Sequence, residues 1–213
     1  MKPIFKIKQG VNTFTTPIVS AQYPYLVTPD TKFRPEGDLK VNFTVPDNEY
    51  WREVIDQCES DIAKLIADFK EKNNKKLRES PDVPWIENDD GTITFKCKIR
   101  ASYARRNGKG NFDVKVTQFD AKGTPIVPMV EIKGGSEIKL SLELKTWESS
   151  GKAGISLRPR AVQVIKLSDG VGSANSEEYG FDEEEGYVFE KEEEQTPFAE
   201  DGVADGEDER IDF

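Results

Sequence analysis

Along most of this chain apolar and polar residues alternate one by one, and in a single stretch they recur every three to four. Leu39, Val41, Phe43 and Val45 alternate with Lys40, Asn42 and Thr44 before Pro46 ends the run. Ile93, Phe95, Cys97, Ile99, Ala101 and Tyr103 fall on one face of a second run, with Thr94, Lys96, Lys98, Arg100 and Ser102 on the other. A two-residue period is that of a half-buried β-strand. Shorter or later runs of the same kind cover Phe112–Val116, Ile138–Leu144 (ending near Trp147) and Ile155–Leu167. Asn88-Asp89-Asp90-Gly91, Gly134-Gly135 and Ser149-Ser150-Gly151 mark turns between them.

The exception is Tyr50, Trp51, Val54, Ile55, Cys58, Ile62, Leu65, Ile66 and Phe69. That spacing predicts one long amphipathic helix over about 47–78. Asp47 is the expected N-cap, Glu49 suits the first turn, Lys75, Lys76 and Arg78 suit the last, and Pro81 forbids continuation. Segment 1–37, broken by five prolines, reads as short strands and loops of the same domain. The expected architecture is mainly β: one helix laid on a curved antiparallel sheet, as in a five-stranded Greek-key barrel of the oligonucleotide-binding (OB) type. An open sandwich with one helix fits the same periodicity.

Charge divides the chain. Residues 169–213 carry 18 Asp and Glu against Lys191 and Arg210, a net of −16, so residues 1–168 carry +6 of the overall −10. Only 8 of those last 45 residues are Leu, Ile, Val or Phe, which predicts a disordered acidic tail following a folded domain at 1–168. A mildly basic body seeks a polyanion, and the tail is itself one. Cys58 and Cys97 sit in apolar patterns and read as buried, reduced thiols of an intracellular protein. No run approaches the ~18 apolar residues of a membrane span, and the N-terminus lacks the apolar core of a signal peptide.

The absence of histidine removes the commonest general base and metal ligand. Asn88-Asp89-Asp90-Gly91 lacks the ligand spacing of a calcium loop, and Gly108-Lys109-Gly110 lacks that of a phosphate-binding loop. No cofactor, metal or catalytic residue is expected. Binding chemistry fares better, because single-stranded nucleic acid needs cations along its backbone and flat rings for its bases. Lys96, Lys98 and Arg100 share one strand face, and Arg158 and Arg160 share another. Arg105, Arg106 and Lys109 lie on a glycine-containing loop suited to phosphate. Tyr103 and Phe112 continue an apolar alternation and so compete between core and platform. Trp147 is in phase with Lys145 and Glu143, opposite the leucines, as an exposed functional ring would be. In the tail, Tyr179, Phe181, Tyr187, Phe189, Phe198 and Phe213 interleave with carboxylates, a crude copy of bases and phosphates that could compete for the same groove.

Taken in order, Gly37 to Pro46, the helix, Asp90 to Lys96, Ala101-Ser102-Tyr103, Ile132 to Ser136, Trp147, the close at Val164 to Leu167, and the acidic end at Asp212-Phe213 resemble a known family. It is that of the small single-stranded DNA-binding proteins of short-tailed, T-odd-type bacteriophages. The resemblance implies an OB fold that coats single-stranded DNA in replication and recombination, in the cytoplasm of an infected bacterium. It implies a tail that contacts the phage polymerase and helicase-primase and competes with DNA. It matches Trp147 to a DNA-binding aromatic, Arg34 to a basic residue ahead of the first long strand, and Phe213, with Asp212 and Glu209, to a docking terminus. The family carries a tyrosine where this chain has Lys145, so a phosphate contact replaces a ring there. Duplex binding and a homodimer stay open. The rival expectation is an acidic DNA mimic that inhibits host DNA-processing enzymes.

Overall fold

The computed structural model describes residues 5–8, 11–105 and 107–168. Thirteen strands and one helix are present among them. The first four strands are β1 (Lys6–Lys8), β2 (Val11–Thr15), β3 (Val19–Ser20) and β4 (Gln22–Asp30). After β5 (Asp38–Pro46) comes α1 (Glu49–Asn73), then the short β6 (Arg78–Glu79) and β7 (Trp85–Glu87). β8 (Thr92–Arg100) precedes a small hairpin, β9 (Ser102–Ala104) and β10 (Asn111–Asp113). β11 (Thr117–Phe119), β12 (Glu137–Ser149) and β13 (Lys152–Lys166) complete the order.

Eleven strands form one sheet with the main order β1-β2-β12-β13-β8-β5-β4. It is mixed: β13 runs antiparallel to β12 but parallel to β8, β11 and β6. The expectation of a five-stranded antiparallel barrel is corrected to a larger, mixed sheet with one helix. Alternation reveals that a strand exists and which face it buries, but not its neighbour. Strands of two to five residues are also too short to declare a period.

The helix obeys its apolar stripe. Trp51, Val54, Ile55, Cys58 and Ile62 are buried, while Leu65, Ile66 and Phe69 pack half-buried at the core edge. Its ends differ from expectation. Asn48, not Asp47, is the N-cap, with extended backbone and a side-chain oxygen accepting the Trp51 N–H at 3.3 Å. Asp47 instead holds the Arg52 guanidinium, which also bonds Glu87 at 2.8 Å and so ties the first turn to β7. The helix stops where Asn74 adopts a left-handed conformation and returns its N–H to the Lys70 carbonyl at 2.9 Å. Lys75 and Lys76 therefore lie beyond the helix, and Arg78 belongs to β6. Asparagine tolerates the left-handed region, so the Asn73-Asn74 pair was the stop signal.

At the centre, Phe43 of β5 faces Phe95 of β8 in register, their rings 5.3 Å apart, and Trp51 of α1 closes on both at 5.5 and 5.1 Å. The alternation expected of β12 holds along its length, with Ile138, Leu140, Leu142 and Leu144 all buried. Both cysteines are free and buried beside this core. Burial pushes the Cys58 thiol up to about 12, with Asp61 and Glu59 adding to it, and pushes Cys97 up as well. No described helix is long and apolar enough to cross a membrane.

Phe43→Ala should cost about 3–5 kcal/mol, as is usual for truncating a fully buried aromatic, read as a loss in denaturant stability. For the thiols, a folded pKa above the unfolded one keeps the neutral form in the native state. Stability should then be unaffected below the ordinary thiol range near 9 and fall as pH rises from there toward 12, while a thiol reagent at pH 8 should label only unfolded protein. Rapid labelling of both thiols in the native protein would contradict their burial.

Candidate nucleic-acid interface

Because successive side chains of a strand point to opposite faces, burying Phe95 and Cys97 turns Lys96 and Lys98 outward. Lys96, Lys98 and Arg100 are all exposed. β13 meets β8 through the Leu157–Cys97 bridge, which brings Arg158 beside Lys98 on the outer face. On β12 the same face holds Glu143, opposite Arg158, and exposed Lys145, opposite Ser156. On β5 it holds Lys40, opposite Lys98, and Asn42, opposite Lys96.

The electrostatics of this face are uneven. Lys40 is engaged by Asp30, whose carboxyl is held below the usual carboxylate range by that hydrogen bond and by the Lys32 N–H. Its ammonium also lies 4.9 Å from the Tyr25 ring centre. Lys96, Lys98, Arg100, Lys145 and Arg158 have no carboxylate within ion-pair distance among the described residues. Like charges directly opposite across a ladder are destabilising. In the Lys40–Lys98 pair Asp30 offsets the first charge, and the second is left to an anion from outside.

Trp147 stands at the β12 end of the same face, opposite Gly154 of β13. Its indole lies across that glycine: a Cβ at 154 would fall 2.3 Å from Cζ2 and 2.7 Å from Cε2 of the ring. Only a missing side chain lets the ring settle on the backbone of the neighbouring strand. The residue is half-buried, so part of it stays open to solvent. The result is a flat, fixed surface one residue pair beyond Lys145.

The remaining expected residues are distributed around this patch. Arg34 is exposed on the β4–β5 loop, its Nε 4.0 Å from Asp38. Tyr103 is half-buried in the β9–β10 hairpin and stacks on Phe112 with ring centres 5.7 Å apart. Phe112 is itself 46% exposed, so the pair forms a surface feature and not a piece of core. Arg105 and Lys109 are exposed at the hairpin tip, Arg105 bonding the Asn111 carbonyl at 3.2 Å. Arg158 is half-buried and Arg160 exposed, on either side of the buried Pro159. A bulge between Ser141 and Leu142 pairs Leu142 with Pro159 and Ser141 with Ala161, leaving Arg160 as the extra residue. The sequence carried that signal: the apolar positions are odd at Ile155 and Leu157 and even at Val162 and Val164. Arg106, Glu209, Asp212 and Phe213 lie outside the described residues. Sequence reading missed Phe33, 79% exposed between Lys32 and Arg34, and Tyr23 and Tyr25, 74% and 40% exposed on β4. An aromatic flanked by two cations was the available clue for Phe33.

Known proteins resemble this chain in sequence and in fold. The family model described as "Single-stranded DNA-binding protein, Bacteriophage T7" matches residues 18–167. A single-stranded DNA-binding protein of Escherichia phage T7 is 26% identical over 196 residues, covering 82% of this chain and 84% of its own. One from Enterobacteria phage T3 is 26% identical over 184 residues, covering 77% and 79%. In structure, the chain is similar to crystalline gp2.5, a single-stranded DNA-binding protein encoded by bacteriophage T7. The TM-score is 0.62 at 26% identity, over 84% of this chain and 100% of that one. It also shares its fold with the single-stranded DNA-binding protein of bacteriophage Enc34 in complex with ssDNA, at TM-score 0.53 and 13% identity over 81% and 98%.

Gly154→Ala tests the seating of the indole. The added methyl should lift Trp147 off β13, changing its fluorescence and its quenching by iodide, and costing about 1–3 kcal/mol if the ring cannot move away. Trp147→Phe in the same background should relieve the clash and return most of that stability. An unchanged emission spectrum in Gly154→Ala would show that the ring does not rest there.

Proposed function

The chain belongs to the phage T7-type single-stranded DNA-binding protein family, and from that premise we propose that it binds single-stranded DNA along the outer face of β5, β8, β13 and β12. The observation that carries this is the set of unpaired cations, Lys96, Lys98, Arg158 and Lys145, on one face with a flat indole at its end. Phosphates take the cations, and a base stacks on the open part of Trp147. Stacking tolerates any base, so the binding is non-specific in sequence, at roughly 1–3 kcal/mol per stacked base. The relatives are named as binding proteins, in line with a non-enzymatic role.

An OB-type ring accounts for the larger sheet. Val19 and Ser20 of β3 pair with β12, and from Gln22 the same stretch of chain pairs with β5 as β4. Chain 19–30 thus touches both ends of the order β12-β13-β8-β5, which supports a curled sheet. The tail reading belongs to the same proposal: residues 169–213 compete with DNA for the face, and their end, through Glu209, Asp212 and Phe213, recruits the phage polymerase and helicase-primase. Arg34, Arg100, Tyr103, Arg105, Arg106, Lys109 and Arg160 extend the basic surface. The place of action is the cytoplasm of the infected bacterium, and a homodimer is compatible with the free outer edge of β1.

The test is a fluorescence titration of the full chain and of residues 1–168 with single-stranded and duplex oligonucleotides at several salt concentrations. Log K should fall by about 0.7 per neutralised phosphate per log unit of salt, and Lys98→Ala should reduce that slope by about 0.7. Trp147→Ala should weaken binding with the slope unchanged. The 1–168 fragment should bind more tightly than the full chain; equal affinity would remove the competing-tail reading. No affinity in either form would remove the proposal and favour an acidic DNA mimic.

A further inference from the structure

The β4–β5 loop carries an aromatic that packing does not explain. Phe33 is 79% exposed, yet its loop is fixed at several points. The Lys32 N–H bonds the Asp30 carboxylate at 3.0 Å, and Asp30 is held in turn by Lys40. The Gly37 N–H returns to the Arg34 carbonyl at 3.0 Å, and the Ala101 N–H bonds the Gly37 carbonyl at 3.0 Å. Gly37 has φ +75°, and a Cβ there would come within 2.6 Å of the Pro29 Cβ, so only glycine closes the loop base this tightly. A ring displayed on a loop already ordered by the fold loses little freedom when it binds.

Its neighbours and position point to a ligand. Lys32 and Arg34 flank it in sequence, with the Lys32 ammonium 5.5 Å from the ring centre. The bond from Ala101 places the loop beside the end of β8, just past Arg100, the last of that strand's outward cations. Trp147 marks the other end. Gly154, beneath its ring, lies three residues before Leu157, the partner of Cys97. The path from Gly154 to Leu157 along β13, and on from Cys97 to Ala101 along β8, covers ~23 Å at ~3.3 Å per residue. A stretched single strand, at about twice the 3.4 Å duplex rise per nucleotide, crosses that distance in about four nucleotides.

Resting on the proposed DNA-binding face, we infer that Phe33 is a second base-stacking platform, placed at the opposite end of the cationic track from Trp147. Lys32 and Arg34 receive the phosphates on either side of the base that it holds. The two rings then bracket a run of about four nucleotides, the lower end of the range known for one OB-type domain.

The experiment titrates the full-length protein with a twelve-residue oligothymidylate, comparing Phe33→Ala, Phe33→Leu, Phe33→Trp and Trp147→Ala, with melting temperature measured for each. Phe33→Ala and Phe33→Leu should bind at least about fivefold more weakly, the loss expected of one stacked base, with melting temperature and salt slope unchanged. Phe33→Trp should bind at least as tightly as the parent. In a Trp147→Phe background its new emission should be quenched by the oligonucleotide. Parental affinity in Phe33→Ala or Phe33→Leu, while Trp147→Ala is weakened, overturns this inference and leaves the DNA-binding face standing. If the parent itself fails to bind, the face falls, and Phe33 with it.

Discussion

The contact among Phe43, Phe95 and Trp51 is the constraint on which the rest of the molecule depends. It joins the neighbouring strands β5 and β8 to the one helix, and it does so with fully or nearly fully buried rings. Because a strand's side chains alternate, fixing Phe95 inward fixes Lys96 and Lys98 outward, and fixing Phe43 inward does the same for Lys40 and Asn42. A slip of one residue in both strands would turn Lys40, Lys96, Lys98 and Arg100 inward and two phenyl rings outward, leaving unpaired charge buried at large cost. The register of the core is thus also the register of the proposed binding face.

That face is built by withholding partners. Among the described residues, carboxylates engage Arg52 (Asp47 and Glu87), Lys40 (Asp30) and, at 4.0 Å, Arg34 (Asp38). Along β8, β13 and β12 the face has a carboxylate, Glu143 opposite Arg158, and none of its cations is in an ion pair among the described residues. Exposed ion pairs add little to stability, so leaving these cations unmatched costs the fold little. An extended polyanion gains several contacts at once. The indole on Gly154 follows the same logic: a side chain is omitted on one strand so that a ring on the next can lie flat.

Much of this is legible in the sequence. The runs at Leu39–Val45 and Ile93–Ile99, the leucines of β12 and the stripe from Trp51 to Ile62 each declare their buried face through periodicity, and the structure keeps every one. The outward lysines of β8 follow directly. Pairing does not, because alternation is silent about which strand lies next door and whether it runs parallel; hence the mixed sheet where an antiparallel barrel was expected. The helix end is misread because cations beyond a cap resemble cations before it, and the asparagine that turns the chain is easily overlooked. The bulge at Arg160 is announced by the shift from odd to even apolar positions. Phe33 escapes because it belongs to no period at all. Its exposure becomes visible only once the loop is folded around Gly37.

β13 touches β12, β8, β11 and β6, whose residues begin at Arg78 and end at Ser149. It is also the last strand of the domain to be synthesised. At roughly 5–20 residues per second, the earlier strands wait many seconds with their hydrogen-bonding edges and apolar faces unmatched. β12 is spared, because only Ser150 and Gly151 separate it from β13, but β6 and β8 depend on a strand far along the chain, and such long-range pairing is slow. The newborn chain therefore passes through a window in which it is sticky but unfinished, and its dependence on chaperones should be concentrated there.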